Sequence, residues 1–251
     1  MTFIQSIFLS LVQGITEFLP ISSDGHLNLF QHLFGLTPSL TFDIFLHAAT
    51  FLSVLYFFKN QLKYFFSNLK YIIVGSIPAI IAGFFLKNQI EVLFTNIQFL
   101  PYFFLITGVL VFVTKYFQKG DKSLTYFSAF IIGIFQALAI LPGVSRSGLT
   151  IFAALLFGLS PLNAFNFSFS LFIPASVGAI LLDIKNILNP SMFTLANLVT
   201  FVLTFFVGIF VLKFLKKIIS NNKFWIFGIY TFILAIITFF FFSDIMPIYG
   251  K

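Results

Sequence analysis

The chain has 251 residues and is strongly apolar: 59% of its residues are hydrophobic, 8% are charged and the mean hydropathy is +1.06. This composition excludes a soluble domain and is typical of a polytopic helical membrane protein. The absence of cysteine excludes disulfides and thiolate catalysis, and the net charge of +7 comes from lysines spread over short loops, which excludes a nucleic-acid-binding patch.

Eight apolar segments follow one another along the chain. The first, about 3–35, and the fifth, about 126–160, are broken at their centres by Pro20–Gly25 and Pro142–Gly148, so each half is too short to cross a bilayer. Polar backbone at membrane depth is tolerated only inside protein or beside a water-filled cavity. We therefore predict an all-α polytopic membrane protein with two re-entrant helical hairpins and six transmembrane helices, near 42–58, 71–87, 98–115, 165–182, 196–215 and 224–243.

The two broken segments belong to an internal repeat. Phe18–Gly25 resembles Ile140–Gly148 with one glycine inserted, and Phe42–Phe45 falls opposite Phe165–Ser168. Each half contains one hairpin and three spans, and an odd number of spans predicts two inverted-topology repeats. The expected organisation is a single integral-membrane domain over residues 1–251, with repeats at about 1–120 and 125–245.

The placement of lysine predicts the orientation. The loops 59–70, 115–125 and 213–223 carry ten lysines, whereas the segments 87–97, 183–195 and 244–251 carry three. Because basic loops stay on the cytoplasmic side, both termini are expected outside. The first hairpin then enters the membrane from outside and the second from the cytoplasm, and their broken tips meet near the midplane.

The second break contains Arg146, the only arginine of the chain. Its planar guanidinium matches two phosphate oxygens at once, which lysine cannot do, and an ionisable group at membrane depth is a functional-site hypothesis. A structural Arg–Asp pair between helices is the alternative. Serines are placed to cap the helices after both breaks, and two half-helix N-termini with hydroxyls and an arginine predict a phosphate site.

Acids and histidines are concentrated in the first repeat. Three of the seven acids are Glu17, Asp24 and Asp43, and His26 and His47 lie close to them in sequence. Carboxylates beside a phosphate repel it unless a proton or a divalent cation lies between them, and hard cations suit oxygen ligands. A histidine among serines is an acid/base or nucleophile candidate. The structural alternatives are a neutral Glu17 hydrogen-bonded between helices, a packing role for His26, and serines that only cap.

Gln13–His26 and Leu141–Thr150 resemble the two signature motifs of the undecaprenyl-diphosphate phosphatase family of the bacitracin-resistance type. The resemblance extends to Phe42–Leu55 and Phe165–Ala179, and the length and span order match the whole chain. It implies an enzyme that removes the terminal phosphate of a C55 polyprenyl diphosphate and so recycles the carrier for cell-wall synthesis. It also implies a divalent cation, Mg²⁺ or Ca²⁺, and a site that opens to the outer face of the bacterial cytoplasmic membrane.

The resemblance also implies roles for individual residues. Glu17 would handle the cation or water, Arg146 would bind the phosphate, and Ser23 and His26 would be the nucleophile or acid/base candidates. Which of serine, histidine and activated water attacks is left open. Ser22, Ser145, Ser147 and Thr150 would line the diphosphate, Glu17 and Gln13 are the candidate cation ligands, and the secondary residues are Asp24, Asp43 and His47.

The sequence departs from the family pattern at four positions. Gln13 stands where many members have a second glutamate, which weakens a two-carboxylate cation site. Asn166 falls where many relatives carry glutamate, Thr231 follows Tyr230 where arginine is common, and Asp24 occupies a slot that usually holds a small hydroxyl residue.

A lipid diphosphatase embedded in the bilayer is therefore the leading hypothesis. A transporter or lipid flippase is the main alternative, because inverted repeats and broken helices at the midplane are also a transporter architecture. A non-catalytic lipid-binding scaffold is the third. The expected partners are the polyprenyl diphosphate and the bilayer, without nucleic acid, and a homodimer is left open.

Overall fold

The computed structural model describes residues 1–37, 39–86, 93, 96–117 and 120–249, with Ser191 and residues 243–249 described by their backbone only. These ranges contain twelve α-helices and no strand. The helices are α1 (Phe3–Thr16), α2 (Ser23–Leu33), α3 (Leu40–Phe58), α4 (Leu62–Ser67), α5 (Leu69–Phe85), α6 (Leu100–Val113), α7 (Tyr126–Leu138), α8 (Arg146–Leu156), α9 (Pro161–Leu182), α10 (Ile184–Ile187), α11 (Leu195–Ser220) and α12 (Ile226–Tyr249). The prediction of an all-α polytopic protein is confirmed.

Four helical stretches are long and apolar enough to cross a membrane, and they coincide with four of the six predicted spans. The other two predicted spans correspond to α5, with 17 residues, and to the stretch Ile226–Phe242 of α12. Both lie at the lower limit of a spanning length. Part of the predicted orientation falls outside the described residues. This applies to most of the segment 87–97 and to three of the lysines, Lys87, Lys119 and Lys251. The four long stretches are Leu40–Ser67, Ile97–Tyr116, Pro161–Leu182 and Leu195–Ser220.

Both predicted hairpins are pairs of half-helices. The first consists of α1 and α2, with 14 and 11 residues, and the second of α7 and α8, with 13 and 11 residues. At 1.5 Å per residue each half is about 16–21 Å long, which is short of the roughly 30 Å of a bilayer core. Both hairpins also start in the same way, because a threonine side chain caps α1 at Thr2 and α7 at Thr125 in a capping box.

The two halves of the chain exchange helices at their hairpins. The first half-helix of the first hairpin, α1, packs against α11 of the second half, and its counterpart α7 packs against α5 of the first half. Small residues permit this close approach: Gly133 of α7 lies directly against the backbone of Gly75 in α5, and no Cβ would fit between them. Helices α6 and α12 form a similar close pair, in which Gly228 contacts the backbone of Gly108 and Phe112.

The backbone at the second break obtains its hydrogen bonds from a neighbouring span. Thr107 of α6 accepts a hydrogen bond from the Ser145 N–H at 3.0 Å, and its hydroxyl donates to the Gly143 carbonyl oxygen at 3.3 Å. Non-helical backbone at membrane depth requires such partners, because no lipid group can replace them. The break is therefore enclosed by protein, as its sequence predicts.

Candidate active site

The two broken tips are in contact with each other. Ser147 Oγ in the second hairpin donates a hydrogen bond to the carbonyl oxygen of Leu19 in the first, at 3.2 Å. A Cβ added to Gly25 would lie 2.9 Å from the Cα of Gly143. The backbones of the two breaks are therefore in contact, with no room between them for a side chain. The predicted meeting of the tips is confirmed, and their depth in the bilayer stays a prediction.

Glu17 lies at the centre of this junction, with 7% of its side chain exposed. Its Oε2 accepts hydrogen bonds from Ser23 Oγ at 2.6 Å and from Gln13 Nε2 at 3.0 Å. Its Oε1 lies 3.4 Å from Arg146 Nη2 and 3.5 Å from His47 Nδ1. A buried carboxylate needs such compensation, and the basic neighbours make this group an ion-pair centre, which argues against the alternative of a neutral packing residue.

Arg146 keeps one of its donors unused. While Nη2 faces Glu17, Nη1 is buried and has no hydrogen-bond partner among the described residues. The guanidinium carbon lies 4.1 Å from the ring centroid of Phe172 and 5.5 Å from that of Phe169, and stacking on aromatic faces is a geometry that suits arginine better than lysine. Glu17 and the two phenylalanine rings thus hold the guanidinium in place, and Nη1 is the donor that remains for a ligand.

Serines cap both half-helices that begin at the junction. Ser22 Oγ accepts from the Gly25 N–H at 3.2 Å, and Ser145 Oγ accepts from the Gly148 N–H at 3.1 Å. The expected capping is confirmed, and the first residues of both helices, Ser23 and Arg146, contact Glu17. Thr150, expected at the diphosphate, is fully buried; its hydroxyl donates to the Arg146 carbonyl oxygen and lies 2.6 Å from Ser168 Oγ, between α8 and α9.

His26 is directed toward a residue that the sequence did not identify. Its Nε2 lies 2.8 Å from the hydroxyl of Tyr230 in α12, and its Nδ1 lies 2.7 Å from the Ser22 carbonyl oxygen. Both ring nitrogens are therefore occupied, and neither hydrogen bond leads to Ser23. Tyr230 is 204 positions away in the chain; the only signal in the sequence is a polar aromatic residue inside the last span.

The secondary residues surround this centre. His47 bridges the halves of the protein, since its Nε2 lies 3.0 Å from Ser176 Oγ in α9 while its Nδ1 faces Glu17. Asp24 is exposed and lies within electrostatic range of Glu17, His47 and Arg146. Asp43 is farther out, where its Oδ1 accepts a hydrogen bond from Gln31 Nε2 at 2.7 Å.

The structure also shows the surroundings of two residues that depart from the family pattern, Asn166 and Thr231. The Oδ1 atom of Asn166 is buried without a hydrogen-bond partner in the described part of the chain. The hydroxyl of Thr231 donates to the Phe227 carbonyl oxygen of its own helix at 2.8 Å, and the residue is fully buried. Neither side chain takes the place of the charged residue that is common there.

The oxygen donors at the junction fit a divalent cation that shares its coordination with a phosphate. Within the described residues no group of three His, Asp or Glu side chains is arranged to hold a metal ion. Mg²⁺, however, is usually bound by one or two carboxylates together with substrate phosphates and water. Glu17 supplies a carboxylate, and Gln13 Oε1 beside it is a buried acceptor that has no hydrogen-bond partner among the described residues.

The chain is similar to known proteins along almost its whole length. Residues 6–237 match the family described as Bacitracin resistance protein BacA. Proteins named Undecaprenyl-diphosphatase are similar along almost their whole length: the one from Thermosipho africanus is 40% identical, with 93% of this chain and 98% of that protein aligned. The one from Methanococcus vannielii is 38% identical over 94% and 99%, and the one from Desulfosudis oleivorans 39% identical over 94% and 97%. The chain belongs to the BacA family.

Proposed function

We propose that this protein hydrolyses undecaprenyl diphosphate to undecaprenyl phosphate and inorganic phosphate within the membrane. The name shared by its relatives supports the substrate. The observation that carries the proposal is the junction itself: a buried arginine with a free Nη1 beside a hydrogen-bonded Ser23–Glu17 pair, where two capped helix N-termini meet. Such groups bind a phosphate and neutralise the charge that builds up during its transfer.

Arg146 binds the terminal phosphate and Ser23 attacks it. The guanidinium binds its oxygens through Nη1, and the first turns of α2 and α8 add backbone N–H groups. Ser23 Oγ attacks the terminal phosphorus while its proton passes to Glu17, which already accepts it at 2.6 Å. The bridging P–O bond breaks and undecaprenyl phosphate leaves; water then cleaves the phosphoserine, which restores Ser23 and releases phosphate. This contact favours Ser23 over His26 as the attacking group.

A divalent cation, Mg²⁺ or Ca²⁺, belongs to this proposal. Glu17 and the amide oxygen of Gln13 would hold it together with substrate oxygens. When bound, it neutralises part of the charge of the diphosphate.

The proposed location is the bacterial cytoplasmic membrane, with both termini and the mouth of the site on the outer face. The lysine bias supports the orientation. A reporter that works only outside the cytoplasm should be active after Lys251 and inactive within Asn221–Lys223; the reverse result in both fusions would overturn this orientation.

Phosphate release in detergent tests the enzymatic proposal against the transporter alternative. Purified protein with undecaprenyl diphosphate and Mg²⁺ should release inorganic phosphate although no second compartment exists. Ser23→Ala should lose this activity almost completely, because the Glu17-bound hydroxyl is removed. Ser10→Ala, which removes a buried hydroxyl bonded only to its own helix at the Ile7 carbonyl, is the matched control and should retain it. An intact wild-type protein that releases no phosphate would contradict the proposal.

A further inference from the structure

His26 and Tyr230 form a pair that joins the first hairpin to the last helix. Besides the 2.8 Å contact between Nε2 and the hydroxyl, their rings are stacked at an interplanar angle of 9°, with centroids 5.8 Å apart. The contact depends on tertiary structure alone, because no local pattern brings together residues this far apart. Neither ring nitrogen of His26 forms its hydrogen bond with Ser23 or Glu17.

The hydrogen bonds of His26 select one tautomer. A carbonyl oxygen can only accept, so the Nδ1 atom that lies 2.7 Å from the Ser22 carbonyl carries the hydrogen. In the neutral ring Nε2 is then the acceptor, and the phenolic hydroxyl of Tyr230 donates to it. The two partners together determine the orientation of the imidazole and the nitrogen that is able to take up a proton.

The helices around the pair are closely packed. Helix α12, which carries Tyr230, is packed so closely on α6 that the backbone of Gly228 contacts that of Gly108. The same helix α6 supplies Phe104, whose ring meets His26 edge-on with centroids 5.5 Å apart. The hydroxyl of Tyr230 is therefore held by a closely packed helix, which suits a group that orients the ring of His26.

The second hairpin indicates that the fold itself does not need this polar pair. His26 is the fourth residue of α2, and the fourth residue of α8 is Leu149, which is 1% exposed. An apolar side chain therefore fills the corresponding position where no acid/base chemistry is expected. The pair is specific to the hairpin that carries the serine and the carboxylate.

We infer that Tyr230 is a positioning residue for His26 in the reaction of this site. The inference rests on the proposed function and adds one step to it: besides the transfer from Ser23 to Glu17, His26 takes part in proton transfer during phosphate release. Tyr230 does not touch the phosphate. Its hydroxyl and the Ser22 carbonyl oxygen hold the ring in the tautomer whose basic nitrogen is Nε2, and when Nε2 takes up a proton the tyrosine hydroxyl turns from donor to acceptor.

Tyr230→Phe keeps the stacked ring and removes only the hydroxyl. We expect kcat to fall about tenfold or more, the usual loss when a hydrogen-bonded partner that aligns a histidine is removed, with KM and the thermal unfolding midpoint almost unchanged. In a His26→Ala background the same substitution should cost nothing further, because the residue through which it acts is absent. Tyr102→Phe, which removes the hydroxyl of another ring on α6 packed against Phe239, should leave kcat unchanged.

Losses that multiply in the His26→Ala background, or a Tyr230→Phe variant with wild-type kcat, would overturn the inference. A readout without activity decides it independently. The chain has three histidines, and ¹⁵N-histidine NMR with His26→Ala identifies the resonances of His26. Tyr230→Phe should shift its Nε2 resonance; an unmoved resonance overturns the inference. Failure of the proposed function is distinguishable, because it appears as absent phosphate release by the wild type, whereas the resonance still reports on Tyr230.

Discussion

The half-helix after the first break and the half-helix after the second begin alike. Both have 11 residues, and both follow a serine whose hydroxyl accepts from the N–H of a glycine three positions later. Ser23 and Arg146 are therefore equivalent, as the first residues of α2 and α8. Both contact the same carboxylate, Ser23 at Oε2 and Arg146 at Oε1 of Glu17.

The same two helices differ in their backbone and their chemistry. In the first break a serine, Ser22, adopts a φ of 68°, whereas in the second the inserted Gly143 adopts the positive φ, at 96°, and Ser145 has an ordinary φ of −79°. A non-glycine residue in that region stores about 1–3 kcal/mol of strain. The first hairpin thus carries the strain together with Glu17, Asp24 and His26, while the second carries Arg146.

This difference teaches how a repeated element can form an asymmetric site. The repeat supplies two N-termini that converge, and substitution at equivalent positions then separates anion binding from proton transfer. His26 corresponds to Leu149, and the pairs that follow at the same spacing, Asp43 with Asn166 and His47 with Ser170, lose their charge in the second half. In α8 and α9 the one charged residue is Arg146, which faces Glu17.

The largest effect is expected from the residue that distinguishes the second hairpin. Arg146→Lys keeps the charge but offers one compact ammonium, which cannot face Glu17 and a phosphate oxygen at once or stack on Phe172 in the same way. We expect a folded protein whose kcat falls about a hundredfold or more, as when one preorganised donor is removed. Phosphate release in detergent measures kcat, and gel filtration checks the fold.

The carboxylate that faces Arg146 is Glu17, and a purely structural Arg146–Glu17 ion pair predicts the reverse pattern. Lysine would then preserve most of the turnover, whereas Arg146→Met would reduce stability and expression, since it leaves a buried carboxylate without its partner. Near-wild-type kcat in Arg146→Lys would remove the phosphate-binding assignment and with it the division of roles between the two hairpins.

Substitutions at the two positions of positive φ, Gly143 and Ser22, should change the free energy of unfolding by different amounts. A Cβ at Gly143 would lie 2.8 Å from Leu100 Cδ1 and 3.0 Å from Phe103 Cβ, in addition to the cost of its φ. Gly143→Ala should therefore lower the free energy of unfolding by about 2–3 kcal/mol. Ser22→Gly loses a cap but relieves the positive φ, so its change should stay below about 1 kcal/mol. Unfolding in detergent compares them, and equal losses would mean that Ser22 is not strained.

The sequence predicted the architecture well, because breaks and caps are local signals. Proline, glycine and serine marked both interruptions, and the spacing of the repeat correctly aligned Ser22 with Ser145. The convergence of Glu17 with Arg146 followed from the repeat and the orientation together. These features depend on residues that lie within a few positions of each other, or on a pattern that occurs twice.

The remaining part of the site could not be predicted, because it consists of single contacts between distant helices. Tyr230 behind His26, Phe172 below Arg146 and Ser176 behind His47 have no repeat and no spacing that announces them. Thr150 is a case of its own: the resemblance implied a contact with the diphosphate, which stays a prediction, and the structure adds that its hydroxyl lies between α8 and α9.

The smallest expected effect concerns Gln13, which lies beside the carboxylate that both hairpins share. Its amide nitrogen donates to Glu17 Oε2 at 3.0 Å, so Gln13→Glu would place two carboxylates side by side. Two such groups repel each other unless a cation or proton lies between them. We therefore expect the Mg²⁺ concentration for half-maximal phosphate release to fall on the order of tenfold, since one added ligand charge strengthens binding by about 1.4 kcal/mol.

The control adds the same charge away from the junction. Gln98 lies in an exposed turn before α6, and Gln98→Glu should leave the Mg²⁺ dependence unchanged. If Gln13→Glu behaves like this control, or needs more Mg²⁺, the amide of Gln13 is not a cation ligand. The cation would then contact only Glu17 and the substrate, and the proposed coordination would lose its second protein donor, although the assignments of Arg146 and Ser23 would stand.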